Sequence, residues 1–460
     1  MLKKLIGNKA FYKRILTLML PIMVQTGITN FVNMLDNVMI GAIGTAQMTG
    51  VSIANQLFFV FNLCVFGAVS GAGIFGAQFF GKSDHDGVRY TFRFKFIFGC
   101  FITISFILLM ILFGEPLLKL YMQGDQGTTS AADTLIYAKS YMSVMLIGLL
   151  PYAVVQCYSG TLREATCPLL PMLAGVAAVT VNLVFNYILI FGKFGAPALG
   201  VTGAAIATVF SRFVELAIVI IFVHSNKVKY TFMRGVYRSP YIPAHLVKGL
   251  FVKSIPLLMS ETLWSMSIAT INQCYSLRGL DAVAACNINS TFWNVFSIAY
   301  MSLGSAVGII LGQMLGANQL KEAKQDSYKM IAFSFTIASA VAAVFFICAN
   351  FIPLAYNTEP EIRVLATRLM QITALTMPFD ALTHSSYFAL RSGGKMLMTF
   401  IFDCGFAWFG SVFLAFTLSR FTSLSFIMIF AIVHLVSVAK GTVGVYLVTK
   451  GMWVKNITSK

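Results

Sequence analysis

The stretch SGAGIFGAQFFG, residues 70–81, has a related counterpart in the same chain. The counterpart is SAVGIILGQMLG, 235 positions later at residues 305–316. The two strings share Ser, Gly, Ile, Gln and Gly at the same places. Around them, residues 21–81 and 256–316 are identical at eleven positions, beginning with a proline in each copy. The chain is therefore predicted to contain two copies of one unit.

Composition places both copies in a membrane. Of the 460 residues, 58% are hydrophobic and 11% are charged, which is too apolar for a soluble domain. A helix of about 20 apolar residues crosses a bilayer core of roughly 30 Å, and the runs are too long and continuous for barrel strands. Twelve such runs occur, at about 15–37, 51–77, 95–114, 136–158, 169–191, 199–223, 253–275, 283–311, 330–352, 364–389, 397–418 and 424–448.

The predicted fold is an all-α polytopic membrane protein with twelve transmembrane helices in two six-helix bundles related by a parallel internal repeat. We expect an N-terminal lobe at 1–224, a cytoplasmic linker at 225–252 and a C-terminal lobe at 253–460. Parallel repeats of this kind are typical of transporters in which one half moves against the other.

The positive charges predict the topology. With both termini in the cytoplasm, the segments on that side hold 24 Lys and Arg residues and the opposite side holds 7, as the positive-inside rule requires. We therefore expect a multi-pass cell membrane protein. The net charge of +17 is spread over short loops, so no nucleic acid partner is expected. The eight cysteines form no Cys-x-x-Cys pair, and neither disulfides nor zinc is predicted.

Carboxylates inside the apolar runs are the best indication of function. A charge at the bilayer centre costs about 2.5–3.5 kcal/mol or more, so such residues usually line a path for ions, protons or charged substrates. They stand at non-equivalent positions of the two copies, which favours two unlike sites over a symmetric pore. The five acids are Asp36, Glu215, Glu261, Asp380 and Asp403.

The first half presents one polar helix face and a pair of amides. Such a face predicts a cation or proton site with oxygen ligands, and the alternative is a seam of interhelical hydrogen bonds. Asn182 and Asn186 lie four apart and share a face, but such a pair is usually helix-stabilising unless it faces Asp36. The polar face of the first helix has spacings of 4, 4 and 3 and consists of Gln25, Thr29, Asn33 and Asp36.

The second half holds three acids and a polar neighbour helix. Glu261 begins one polar face, and Asn287 begins a second on the following helix, which together suggest a hydrated cavity. Asp380 lies on one face with a histidine four residues on. Asp403 is either a coupling acid or the partner of Lys440. Arg212 and Glu215, three apart, predict an intrahelical ion pair.

Several strings, in this order and spacing, resemble one family over nearly the whole chain, the multidrug and toxic compound extrusion (MATE) transporters. They are DNVMIG at 36–41, GTLR at 160–163, GVTGAA at 200–205, SETLW at 260–264, AACNI at 284–288 and ALRSGG at 389–394.

The resemblance implies two six-helix lobes around a central cleft and secondary antiport by alternating access. Organic cations or other amphipathic small molecules would leave against inward Na⁺ or H⁺. Asp36 would be the first-lobe coupling acid, with Asn182 and Asn186 beside it, and Glu261 and Asp380 would bind the cation of the second lobe, possible Na⁺ ligands. No cofactor other than the coupling ion is implied, and a monomer in the lipid bilayer is expected.

Three departures from the family pattern leave the coupling ion open. The position of Asn186 is acidic in the proton-type branch, and Glu164 stands where the first Leu-Arg turn usually has glycine. Lys395 and Met396 stand where an Asp-Thr pair commonly follows the second turn.

Other functions fit the sequence less well. A lipid-linked oligosaccharide flippase of the same superfamily would need a cleft rich in Arg and Lys, whereas the spans contain five acids against Arg212 and Lys440. No zinc, nucleotide-binding or Ser/Lys catalytic motif indicates an enzyme, and a channel would repeat its charged ring in both halves.

Overall fold

Helices make up nearly all of the chain. The computed structural model describes residues 5–122, 131–226, 228–356 and 358–459, and no strand occurs within these ranges. The α-helices are α1 Lys9–Gly41, α2 Thr45–Gly81, α3 His85–Met122, α4 Ala131–Met145, α5 Leu149–Glu164, α6 Leu169–Phe191, α7 Gly200–Ser225, α8 Ala244–Ser276, α9 Leu280–Phe296, α10 Ile298–Gly316, α11 Leu320–Cys348, α12 Pro360–Ser392, α13 Met396–Gly405, α14 Phe413–Phe421 and α15 Phe426–Lys450.

The internal repeat is visible in the helix bounds. Helix α8 begins at Ala244 and ends at Ser276, each 235 residues after the corresponding end of α1. The pair α9 and α10 together has the bounds of α2 at the same offset. Pro21 and Pro256 lie inside α1 and α8, where each removes one backbone hydrogen bond and favours a bend. The two copies therefore share their helix pattern as well as their sequence.

The predicted spans coincide with these helices. Each of the twelve runs falls on one helix or on consecutive helices, and within the described ranges ten segments are long and apolar enough to cross a membrane. Helices α8 and α12, which carry Glu261 and Asp380, are not among the ten. Acids and other polar side chains lower the hydropathy of these two helices. The residues that keep α8 and α12 out of the ten segments therefore include the candidate site residues Glu261 and Asp380.

The chain divides into two compact units. Unit 1 comprises Met1–Met23, Ala77–Asp84 and Met259–Lys460, and unit 2 comprises Val24–Gly76 and His85–Leu258. The units are defined by contacts between residues, and their boundaries lie inside α1, α2 and α8. The lobes expected from the repeat, 1–224 and 253–460, therefore stay a prediction.

Within unit 1, the two repeated strings meet at their glycines. A Cβ on Gly81 would collide with the backbone of Gln313, and a Cβ on Gly316 would collide with the backbone of Gln78. The end of α2 and the end of α10 thus cross at equivalent positions, which only glycine permits at this separation. The buried Gln78 also donates from Nε2 to the carbonyl of Ser392, at 2.9 Å. Two of the five shared residues of each string, the glutamine and the last glycine, therefore make this crossing.

Helix α12 lies at the centre of unit 1 and packs against α9, α10, α11 and α15. Several of its apolar side chains, among them Leu369 and Met377, are fully buried. In unit 2, α6 and α4 pack against α7, and α5 packs against α3. Asp380 lies on α12 and Glu215 on α7, so these contacts position two of the candidate acids.

Candidate functional site

In unit 2, Asp36 is held by a chain of hydrogen bonds whose donors are neutral amide groups. Asn186 donates from Nδ2 to Asp36 Oδ1 at 2.6 Å and to Asn182 Oδ1 at 3.1 Å. Asn182 in turn donates to Thr208 Oγ1 at 3.2 Å. The chain links α1, α6 and α7, because positions 182 and 186 lie one turn apart on the face of α6 that meets both neighbours. The two asparagines that the sequence placed on one face therefore do face Asp36.

The amide oxygen of Asn186 has an unusual environment. Asn186 is fully buried, and its Oδ1 has no hydrogen-bond partner among the described residues. A buried acceptor without a partner costs about 1–3 kcal/mol. Together with the carboxylate of Asp36, it supplies the oxygen ligands that a hard cation such as Na⁺ or a hydrated proton prefers. No Lys or Arg side chain forms an ion pair with Asp36 in the described part of the chain.

Two other residues of the predicted polar face do not join this chain of hydrogen bonds. Gln25 accepts from Arg163 Nη2 at 2.6 Å, which ties α1 to α5. The side chain of Asn33 is exposed. Helical spacing thus identified residues on one stripe, but only Asp36 of that stripe contacts the amide pair.

The prediction that Arg212 and Glu215 form a direct ion pair is wrong. No salt bridge joins the two side chains, both of which the structure describes, although Arg212 remains an electrostatic neighbour of Glu215. Arg212 instead donates from Nη1 to the carbonyl of Gly148 at 3.2 Å, and its guanidinium lies 5.0 Å from the ring centroid of Tyr152. The side chain turns towards the junction of α4 and α5, where a carbonyl and an aromatic face both accept its charge.

In unit 1, Asp403 is part of an ion pair. Lys440 Nζ lies 2.6 Å from Asp403 Oδ1, and Ser260 Oγ donates to the other carboxylate oxygen at 3.3 Å. Both charged side chains are only about 15% exposed (15% and 16%). The pairing with Lys440, one of the two alternatives for Asp403, is therefore present.

The other acids of unit 1 also have basic neighbours. Glu261 has Tyr387, Arg391 and Asp403 as its polar neighbours. Asp380 is close to Lys440 and also to a serine of α15, Ser437. Since three acids are accompanied by two bases, this cluster is largely charge-compensated.

Metal binding and the role of Asn287 have less geometric support. Within the described ranges, no group of three or more His, Cys, Asp or Glu side chains could hold a metal ion. Glu261 and Asp380 differ in their basic neighbours, so their joint role as Na⁺ ligands stays a prediction. The Asn287 side chain is exposed, and its backbone carbonyl accepts from Ser290 and Thr291.

Sequence reasoning missed a buried ion pair in unit 2. Lys95 is fully buried, and its Nζ lies 2.6 Å from Glu164 Oε2. The Glu164 carboxylate occupies the space that Cβ atoms would need on Gly73 and Gly76 of α2. In the sequence, Lys95 stands at the first position of the apolar run 95–114, where a base is easily taken for part of the preceding loop, and Glu164 stands out only as a departure from glycine. That departure was the available signal.

Comparisons with known proteins agree with this architecture. A model of the family described as MatE matches residues 21–188 and 256–416, so the matched segments begin where the two copies of the repeat begin. The chain is similar to the probable multidrug resistance protein NorM of Thermotoga maritima, with 23% identity over 396 residues, 85% of this chain and 82% of the relative. It is also similar to the probable multidrug resistance protein YoeA of Bacillus subtilis, with 24% identity, covering 83% and 81%.

Two solved structures have the same fold. One is an outward-facing multidrug resistance MATE family transporter of the MOP superfamily, with a TM-score of 0.84, 17% identity and 98% of both chains covered. The other is a MOP superfamily transporter from Pyrococcus furiosus, for which a reverse polarity of the binding pocket is described, with a TM-score of 0.84, 17% identity and 97% coverage of both chains. The predicted all-helical fold with a duplicated six-helix unit is confirmed.

Proposed function

Because the chain belongs to the MatE family, whose model matches most of both repeat copies, we propose that it is a secondary active antiporter. It exports organic cations or amphipathic drugs and toxins in exchange for Na⁺ or H⁺. Alternating access between the two lobes moves the cargo across the cell membrane, with both chain termini in the cytoplasm. The relatives named for multidrug resistance support the class of cargo.

The observation that carries the proposal is the Asp36 site. Among the residues that the structure describes, the amide of Asn186 is the one direct hydrogen-bond donor to Asp36, and no Lys or Arg of this part of the chain forms an ion pair with it. Asp36 can therefore exchange one positive ion for another, which an acid already neutralised by Lys or Arg does less readily. The unpartnered Oδ1 of Asn186 offers a second oxygen to whichever ion binds.

Competition for this carboxylate gives a mechanism. A proton or Na⁺ on Asp36 neutralises the site, and cationic cargo favours the ionised carboxylate. An ion and a cargo that prefer different states of one group exclude each other, and this exclusion couples their movements. Asn182 and Thr208 act by holding Asn186 in position, so that its amide meets Asp36 in one orientation.

The proposal is tested by transport into vesicles containing the purified protein. Uptake or release of a fluorescent organic cation is followed under a proton gradient alone and under a sodium gradient alone. We expect accumulation driven by one of the two gradients and its collapse when an ionophore removes that gradient. Transport that follows only the gradient of the dye itself would contradict antiport.

A lipid-linked oligosaccharide flippase stays the second candidate, because the structure adds bases to those counted in the sequence. Lys95 and Arg391 are buried, and Arg391 Nη1 has no partner among the described residues. A guanidinium with an unused donor can bind phosphate oxygens. Translocation of a fluorescent lipid pyrophosphate without any ion gradient, and no transport of organic cations, would favour this function over antiport.

A further inference from the structure

A small basic cavity lies beyond the end of α7, outside the acid sites. Its volume is about 310 Å³, and its lining includes His224 from α7 and Tyr230, Met233, Arg234 and Arg238 from the segment that follows. None of the described residues that line it is acidic. Two guanidinium groups and an imidazole around one cavity favour an anion with several oxygens, and above all a phosphate group.

The sequence around this cavity is rich in positive charge. Residues 216–260 contain six Lys and Arg residues and no Asp or Glu. Arg234 and Arg238 are both exposed, so their side chains are accessible to a ligand from solvent or from the membrane surface. Clusters of basic residues directly after a transmembrane helix are typical of binding to anionic lipids.

The backbone of the cavity is held in place by Arg93 of α3. Its guanidinium donates to the carbonyls of Val236 at 2.7 Å, Gly235 at 3.1 Å and Tyr241 at 3.0 Å. Gly235 itself has a φ of 67°, which glycine adopts without strain. Three bonds from one side chain fix the turn that carries both arginines of the cavity, so the site is preorganised.

The histidine is fixed in the same way. Tyr158 of α5 has its hydroxyl 2.8 Å from His224 Nε2 and 2.5 Å from the hydroxyl of Tyr237. These hydrogen bonds fix the positions of the side chains in the cavity wall without a ligand.

A second, apolar cavity adjoins the same turn. Its volume is about 170 Å³, and its lining includes Phe92, Phe96 and Ile97 of α3 together with Val236 and Tyr237. Ile97 is 49% exposed and begins an apolar, exposed stripe of α3 that continues through Phe101, Ile104 and Leu108. The basic cavity and this apolar cavity, which we call the slot, lie on either side of one turn. The first suits the phosphate of a phospholipid and the slot suits its acyl chain, whereas free phosphate would use only the first.

We propose that this pair of cavities, lined by Arg234, Arg238 and the aromatic face of α3, is a binding site for an anionic phospholipid. The phosphate diester of the headgroup lies between the two guanidinium groups, and an acyl chain follows the slot along α3. The site is independent of the transport proposal, because none of its residues belongs to the Asp36 site or to the acid cluster of unit 1.

The test uses delipidated full-length protein titrated with phosphatidylglycerol and with phosphatidylcholine of the same acyl chains, with bound lipid counted by native mass spectrometry. We expect one tight site for phosphatidylglycerol. The double substitution Arg234→Gln with Arg238→Gln should weaken it about tenfold or more. A control with the same loss of charge, Lys248→Gln with Lys321→Gln, should bind like the unmodified protein, since both lysines are exposed and line neither cavity.

Two further probes distinguish a lipid from a free anion. Inorganic phosphate and the deacylated headgroup glycerophosphoglycerol should each fail to displace the lipid at equal concentration, because neither fills the slot on α3. Equal binding of both lipids, undiminished binding by the Arg234/Arg238 variant or an equal loss in the lysine control would overturn the proposal. Displacement by either soluble probe would show a phosphate site and contradict a lipid site. Thermal unfolding of each variant establishes that it is folded.

Discussion

Asp36 of unit 2 and the candidate acids of unit 1 differ in what neutralises them. Asp36 receives a hydrogen bond from a neutral amide, at 2.6 Å, whereas Asp403 lies 2.6 Å from the ammonium of Lys440. The lengths are equal, but the charges are not. An acid with a fixed counter-charge stabilises the packing around it, and an acid without one is available to a mobile ion. The comparison teaches that partners, rather than burial alone, distinguish a coupling acid from a structural one.

The largest change in stability is expected at the Lys95–Glu164 pair, which extends the comparison within unit 2. Lys95→Met leaves the buried Glu164 carboxylate without its ammonium and should cost about 3–5 kcal/mol. The measurement is the thermal unfolding midpoint of purified protein in detergent. Adding Glu164→Gln should recover most of the loss, because neither charge then stays unpaired. A double variant no more stable than Lys95→Met would show that the lysine acts by packing alone.

A smaller loss is expected at the pair in unit 1. Lys440→Met should destabilise the protein by about 2–3 kcal/mol, at the lower end for truncated charge pairs, because both partners keep some exposure. The double variant with Asp403→Asn should approach the original unfolding midpoint. If Lys440→Met left stability unchanged but abolished transport, Asp403 would be a coupling acid and the contrast with Asp36 would fail.

The amide next to Asp36 should affect transport more than stability. Asn186→Ala removes a hydrogen bond to a charged group, which contributes about 1.5–3 kcal/mol, so the initial transport rate should fall about tenfold or more. Asn182→Ala, which acts only through Asn186, should have a smaller effect. Equal rates for Asn186→Ala and the unmodified protein in vesicles would remove the amide chain from the mechanism.

The smallest effects on transport are expected for two residues that the sequence predicted as part of the site and whose side chains are exposed in the structure. Asn33→Ala and Asn287→Ala should change transport by less than about twofold, since exposed substitutions usually alter free energies by no more than about 0.5 kcal/mol. A loss as large as that of Asn186→Ala would show that these side chains meet cargo or ion in another state of the transport cycle.

The sequence predicted the helices and the repeat well, for physical reasons. Long apolar runs must form helices in a bilayer, and the glycines at 81 and 316 are shared because they meet at the helix crossing. Helical spacing also placed Asn182 and Asn186 on one face. It did not show that this face meets Asp36, because the contact joins residues 150 positions apart.

Partners of charged residues were the least predictable feature. The sequence predicted an ion pair for Arg212 and Glu215 from their spacing, but a carbonyl and an aromatic ring from other helices hold the arginine. Lys95 and Glu164 lie 69 positions apart, so the local pattern showed only an unusual acid at 164 and did not identify its partner. Tertiary packing decides which of several reachable partners a long side chain meets.

One measurement tests the central claim, that Asp36 and not the charged cluster of unit 1 couples export to the ion gradient. Gradient-driven export of a fluorescent organic cation is compared in vesicles that contain Asp36→Asn or the double variant Asp403→Asn with Lys440→Met. We predict that Asp36→Asn, although folded, transports no faster than protein-free vesicles, and that the double variant retains gradient-driven export. Export by Asp36→Asn at the rate of the unmodified protein, together with loss of export in the double variant, would show that the charged cluster of unit 1 couples export to the gradient and that Asp36 does not.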